Sequence, residues 1–456
     1  MKRLFISLVA VCAVCGTMAQ SITSYYMPDA IERRNHNIAF APERGYLAIP
    51  LVGSTTIGLN GNVSVSSLIY QNANGDLVSL LDSGISSSEA LGNLNKGANF
   101  TALESRFEVL NFGGYCKDKS SFWSFNIGLR SNASVNVPYE LFEFVKKGKE
   151  SNMGNINMYM ESFVDVGFGL SKTVNDKLNI GGRVKVLVGL ASANLNISKF
   201  DVEMNSEQWS VDAEGNLDMY GPGLVNEGAI IGDEFDYEDL DMGSIKPAGI
   251  GVALDLGMEY ELIRKLKLSL AVNDLGFIKW NQDCNVSATM ATTQTFNGVD
   301  ISGDGTIDEP DFSFDDMTLN NSESKSSTRL MQASVNMGGE YSFLNELIGV
   351  GAVYSIRFWE AKTMHNVSLM GNLRPVSWFT LGASYGISNG SNTLGLAMNF
   401  SPTWFNLYVA TDIITAKKSA QYIPIDQSAM NLSLGMAIPI GKRSLRSKYT
   451  KWTSEE

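Results

Sequence analysis

Histidine is nearly missing from this chain: 456 residues contain two, His36 and His365. Acid–base catalysis and imidazole–metal chemistry therefore have little to work with. Cysteine is scarce as well. Of four, Cys12 and Cys15 lie in the first twenty residues, which leaves Cys116 and Cys284 for the body of the protein. Bonded in an oxidising compartment or free, two thiols make no disulfide framework and no metal cluster. Basic charge is in deficit, with 35 Lys and Arg against 48 Asp and Glu and a net charge of −13. A nucleic-acid partner is excluded on that ground. Past the N-terminus no run of about 18 apolar residues offers a membrane helix, and no glycine-rich phosphate loop follows a strand.

What the sequence has is alternation. Met430-Asn431-Leu432-Ser433-Leu434-Gly435-Met436-Ala437-Ile438 sets Met and Leu on one face and Asn, Ser and Gly on the other. Trp123 to Arg130 and Leu266 to Asn273 repeat the pattern. A side-chain period of two is the signature of a strand. About fourteen such strands are expected, near 54–70, 101–113, 120–132, 156–173, 177–197, 248–262, 264–281, 328–343, 346–360, 362–375, 377–388, 392–402, 404–415 and 428–440. Short connections, as at Val174-Asn175-Asp176, alternate with long ones, as at 198–247 and 282–327. The expected fold is all-β: a single transmembrane antiparallel barrel whose outer face meets the lipid bilayer of the outer membrane. This parity puts both termini in the periplasm. Trp378, Phe379, Trp404 and Phe405 beside short turns, with Trp280 and Trp359 at the opposite strand ends, suit two aromatic girdles.

The flanks divide the chain further. Residues 1–19 read as a secretory signal, with Lys2 and Arg3, an apolar stretch from Leu4 to Val14, and Thr17-Met18-Ala19 before Gln20. Cys12 and Cys15 each follow a valine, where lipidation calls for a small residue. Residues 20–53 lack alternation and are expected to plug the barrel or lie beneath it; 54–440 form the barrel, and 441–456 a basic periplasmic tail. Tyr139 to Lys147, after Pro138, reads as a short amphipathic helix packed at the rim.

Two local patterns carry a resemblance. One is Asn37-Ile38-Ala39-Phe40-Ala41-Pro42 followed by Arg44-Gly45-Tyr46-Leu47-Ala48-Ile49-Pro50, and the other is Asn273-Asp274-Leu275-Gly276-Phe277-Ile278-Lys279-Trp280. With the fourteen-strand layout they resemble an outer-membrane barrel family of the Bacteroidota catalogued as a domain of unknown function. That family is similar in turn to FadL-type fatty-acid transporters and to PorV-type barrels. The resemblance spans essentially the whole mature chain and implies a fourteen-stranded wall with an inserted N-terminal segment. It supplies no catalytic residue. The last strand departs from common barrel patterns, because a basic tail rather than a terminal aromatic residue follows it.

Three further features bear on chemistry. Asp300-Ile301-Ser302-Gly303-Asp304-Gly305-Thr306-Ile307-Asp308-Glu309-Pro310-Asp311 resembles a calcium loop. Asp300, Ser302, Asp304, Asp308 and Asp311 offer oxygens at positions 1, 3, 5, 9 and 12, Thr306 a carbonyl, and Gly305 the turn. A structural, weakly held Ca²⁺ is the expectation, and no cofactor is required. The acidic run Asp233 to Asp241 reads as a solvated face, with a partner-binding patch as the alternative. Asp274, Leu275 and Gly276 interrupt the alternation of the seventh strand and form a candidate strand break and lateral opening. An enzyme is not expected, since His365 and Ser368 differ in parity and so face opposite sides of the wall. Two functions remain in view. One is passive passage of a small hydrophobic ligand, and the other is a scaffold or shuttle for a cell-envelope protein partner.

Overall fold

The computed structural model describes residues 22–63, 67–71, 77–82, 84–148, 151–204, 208–222, 246–297, 319–359, 363–388, 392–412 and 429–441. Fourteen antiparallel strands close into a ring. They are β1 (Gly45–Ala48 and Thr55–Gly61), β2 (Ala98–Tyr115), β3 (Ser121–Pro138), β4 (Ile156–Thr173), β5 (Leu178–Met204), β6 (Gly249–Ile263) and β7 (Leu266–Trp280). The ring continues through β8 (Ser327–Leu330 and Ser334–Phe343), β9 (Ile348–Phe358), β10 (Thr363–Val376), β11 (Phe379–Ser388), β12 (Asn392–Phe400), β13 (Asn406–Asp412) and β14 (Ala429–Ile440). The seam is shut by β1 against β14, with Gly45 opposite Ile440 and Thr55 opposite Leu434. The wall thus takes in Gly45–Ala48, within the span that alternation alone leaves outside it.

The two faces are inverted relative to a soluble protein. Phe168, Leu170, Val184, Val186, Leu369 and Leu396 project outward and exposed, while Asp165, Arg183, Lys185, Asp255, Asn372 and Asn399 project inward and buried. Apolar surface on this scale is stable only against lipid, so the protein is an outer-membrane β-barrel. Trp378 and Trp404 stand exposed beside the short turns, where an interfacial belt forms.

Long connections gather at the other end. There β5 is prolonged into a ribbon with strands Gln208–Tyr220 and Asn285–Asn297, which alternation on its own leaves as loop. Helix α1 (Ser87–Gly92) packs beside α2 (Tyr139–Lys147), around a cluster that includes Leu80, Ile85 and Phe142. Gly148 ends α2 at φ +66°, a left-handed position that suits glycine.

The seventh strand carries one inserted residue. Leu254 opposes Leu275 and Leu256 opposes Val272, so Asp255 faces both Asn273 and Asp274. Asp274 adopts φ +58°, the mark of a bulge. Outward positions are Leu268 and Leu270 before it but Leu275 and Phe277 after it. This explains a departure from the expected girdle: Trp280 is fully buried and points into the lumen, and Trp359 is buried as well. Without the bulge, Trp280 would meet lipid.

Candidate functional site

The N-terminal segment lies inside the ring. Short helical turns at Ile22–Ser24 and Ile31–Asn35 fold residues 22–44 into a compact body whose side chains are mostly buried. Its polar groups are met in turn by strands around the wall. The Arg34 guanidinium donates to Ser124 on β3 at 3.0 Å and to Ser171 on β4 at 3.3 Å, and Ser171 donates to the Ile38 carbonyl at 2.6 Å. Asn37 donates to the Met258 carbonyl on β6 at 3.1 Å. Arg374 on β10 donates to the Tyr26 carbonyl at 2.6 Å, and Thr23 donates to Asp412 on β13 at 2.9 Å. These bonds offset the cost of enclosing an irregular segment, whose backbone groups need partners wherever water is excluded.

Glycines on the wall make the room. A Cβ on Gly435 of β14 would sit 1.6 Å from Glu32 Oε1, and one on Gly181 of β5 would sit 2.8 Å from the backbone of Ile38 and Ala39. Larger side chains there would push the segment out.

Midway along the lumen, two aspartates and three cations form a network. Arg130 on β3 holds Asp274 with both guanidinium nitrogens, at 2.7 and 2.8 Å. Lys185 on β5 bridges Asp274 and Asp255, 2.7 Å from each, and Arg183 lies 3.7 Å from Asp255. The Asp274 backbone N–H donates to Asp255 at 2.8 Å. Every member is buried. The bulge therefore aims a carboxylate inward where a regular strand would aim it at lipid, and the two cations hold it there.

On the other side of the bulge, pairing between β7 and β8 is interrupted. Asn273 opposes Ser334 and Phe277 opposes Leu330; between these pairs, Gly276 accepts one bond from the Met331 N–H at 2.9 Å. Below the gap, Asn273 and Asn336 both donate to the His36 carbonyl, each at 3.0 Å, and tie the inner segment to both strands. Behind it lies an apolar cluster that includes Phe163, Leu187, Ile278, Trp280 and Met331. In front of it, Leu275, Phe277 and Leu330 are exposed on the outer face.

Two cavities flank the inner segment. One of about 100 Å³ lies toward the long loops, lined by His36, Trp359 and Asn431 among others. One of about 450 Å³ opens at the short-turn end, against Tyr26, Arg33, Phe40 and the facing Glu259, Lys267 and Arg374.

Of the residues singled out from sequence, Asp274, Leu275 and Gly276 fall at the bulge and the gap. Asp300, Ser302, Asp304, Thr306, Asp308 and Asp311 lie outside the described residues, as do the signal, the acidic run Asp233 to Asp241 and the tail beyond Gly441. His365 is exposed on the outer face with Tyr354 2.9 Å away, while Ser368 is buried inside. Cys116 and Cys284 are both free. Glu32, Arg33 and Arg34 escape a reading along the chain, because their one signal is three successive charges just ahead of an alternating stretch. Alternation does turn Lys185 and Asp255 inward, but their meeting with Asp274 depends on register across three strands.

Residues 39–412 match the model of the family of unknown function DUF5723, and the chain belongs to that family. No curated protein matches it in sequence. Among solved structures, it is similar to the Pseudomonas putida toluene transporter TodX, at 10% identity over 89% of this chain and 92% of that one, with a TM-score of 0.41. The Ralstonia pickettii toluene transporter TbuX gives 11% identity over 86% and 90%, with a TM-score of 0.38. A Pseudomonas aeruginosa FadL homologue gives 9% identity over 89% and 92%, with a TM-score of 0.38.

Proposed function

We propose that this outer-membrane barrel is a passive channel for a small hydrophobic ligand, which crosses the wall sideways at the β7–β8 gap. One observation carries the reading. At Asp274–Gly276 the ladder between two strands thins to a single hydrogen bond, and that spot has exposed apolar side chains outside and an apolar cluster inside. An apolar solute entering there exchanges lipid for Trp280, Phe163 and Met331; the neighbouring Arg130 and Asp274 are already paired with each other. Such an exchange costs little, since both surroundings are apolar. The filled lumen supports a wall route over an axial one.

The test is a reversible staple. Phe277 and Leu330 are cross-strand partners on the outer face, where opposed Cβ atoms lie about 4.5–5.5 Å apart. Cells expressing Phe277→Cys with Leu330→Cys should take up labelled toluene or decane slowly when oxidised and at the original rate after reduction. Single-cysteine variants should not respond. Uptake at the empty-vector rate in every state would refute the channel. Protein-dependent uptake that ignores the staple would refute the wall route alone. The scaffold reading predicts the first of these, with a protein partner recovered on gentle extraction.

A further inference from the structure

A third cavity, of about 10 Å³, lies beside the bulge, between the wall and Asn35 of the inner segment. That is room for one small ion or one water molecule. Its lining is charged and out of balance. Three guanidinium groups, from Arg106 on β2, Arg130 on β3 and Arg357 on β9, stand against two carboxylates, from Glu104 on β2 and Asp274 on β7. Both carboxylates are already engaged. Asp274 is held through its two oxygens by Arg130, and Glu104 pairs with Arg357.

Arg106 is left over. It is buried, its Nε has no hydrogen-bond partner, and among the described residues no carboxylate lies within ion-pair distance of it. Glu108 and Asp274 act on it only through space. Its direct partner across the β2–β3 ladder is another arginine, Arg130, and like charges so placed repel. A guanidinium does not discharge itself by losing a proton, and a buried charge without a hydrogen-bonded counter-ion is costly. A second donor lines the same cavity. Gln332 sits at the break between the two halves of β8, and its Nε2 is buried with no acceptor among the described residues. Two orphaned N–H donors, one of them charged, around a void of single-ion size are what a small anion requires.

We infer that this cavity is the seat of one halide-sized inorganic anion, such as chloride, held between the Arg106 guanidinium and the Gln332 amide. The ion brings the charge of the lining to zero, which a water molecule in the same place does not. A water would accept from the same two donors and donate to Asn273 Oδ1, which also lines the cavity without a partner. Gluconate and other organic acids exceed the void, so the site selects by size as well as by sign. It does not depend on sideways passage, because the ion is a fixed part of the lumen beside the gap whatever crosses there.

The experiment is urea unfolding of the full-length protein from lipid vesicles in sodium chloride, bromide and gluconate at equal ionic strength. Once the site is saturating, each tenfold rise in chloride at the expense of gluconate should shift the folding equilibrium about tenfold toward the barrel. Bromide should act in the same way. Arg106→Met removes the stranded cation, so it should fold at least as stably as the wild type does in gluconate and lose the halide response. General salt effects cancel in the difference between the two proteins. Gln332→Glu is a second arm that keeps the arginine. It sets a carboxylate beside Arg106, and should abolish the halide response while raising stability in gluconate. Crystals of the wild type grown in bromide should show an anomalous peak between Arg106 and Gln332. Equal responses of wild type and Arg106→Met to halide, or a site without that peak, would mean a water alone and would overturn the proposal. A halide response lost in Arg106→Met but kept in Gln332→Glu would overturn the placement of the ion against Gln332.

Discussion

Replacing Asp274 by asparagine isolates its charge from everything else it does. Asparagine is close in shape and tolerates the left-handed backbone that Asp274 adopts at φ +58°. What it removes is the shared counter-ion of Arg130 and Lys185, which each approach Asp274 to 2.7 Å in a buried setting. Lys185 keeps Asp255, but Arg130 loses both of its strong bonds. Breaking a buried pair by deleting one partner costs about 3–5 kcal/mol, because the stranded charge remains desolvated. Asp274→Asn should therefore destabilise the barrel by about that amount, read as the shift in urea unfolding from lipid vesicles with the slope unchanged. Adding Arg130→Met removes the stranded cation, and the double variant should recover more than half of the loss. Asp274→Ala should cost about 1–2 kcal/mol more than Asp274→Asn, since it adds backbone strain, whereas Asp274→Gly should not. A loss below about 1 kcal/mol for Asp274→Asn, or no recovery in the double variant, would refute the assignment of the network as what fixes the bulge.

The inner segment and the wall give further expectations. Burial, with a smaller contribution from Glu108, lifts the Glu32 carboxyl from 4.5 to about 8. The folded state then holds a proton that the unfolded chain releases, so this stability is complete below about pH 4.5 and lost as pH rises to 8. A tenfold difference in proton affinity is worth about 1.4 kcal/mol, so the effect amounts to a few kcal/mol. Glu32→Gln should flatten the stability profile between those limits, and an unchanged slope there would count against a neutral Glu32. Gly435→Ala should cost about 1–3 kcal/mol through overpacking on Glu32, and Glu32→Ala should relieve it in the double variant; additive losses would contradict the contact. Brominated lipids should quench the fluorescence of Trp378 and Trp404 but leave that of Trp280, so a Trp280→Phe variant should lose only unquenched signal. Deleting residues 22–44 should turn an electrically quiet barrel into a conducting pore in planar bilayers, and equal conductance of the two would refute the plugging role.

The wall was legible because its code is local. Most strands alternate over nine or more residues, and lipid outside with packed polar groups inside keeps that alternation clean on both faces. The places where reading along the chain falls short are places where the register is decided across it. Trp280 looks lipid-facing until Asn273 and Asp274 are both set against Asp255. Gly45–Ala48 is too short to display a period, yet it pairs with both β14 and β2. The strands Gln208–Tyr220 and Asn285–Asn297 belong to a ribbon above the membrane, where no lipid enforces a pattern. For the site, Asp274–Gly276 stood out as a fault in periodicity, whereas the Lys185 bridge between Asp255 and Asp274 did not: a contact across three strands is visible only once their register has been placed.

The inner segment is fastened like a hub by spokes, from Ser124 on β3 round to Asp412 on β13. Such an arrangement has no weak side from which to peel. Loosening one bond leaves the others still defining the same position, so partial release gains little freedom and a graded aperture has no stable intermediate. Axial opening of this barrel, under any force or solvent that achieves it, should appear as rare, full-sized, long-lived steps. The proposed route through the wall, where a single backbone bond stands guard, leaves the hub in place.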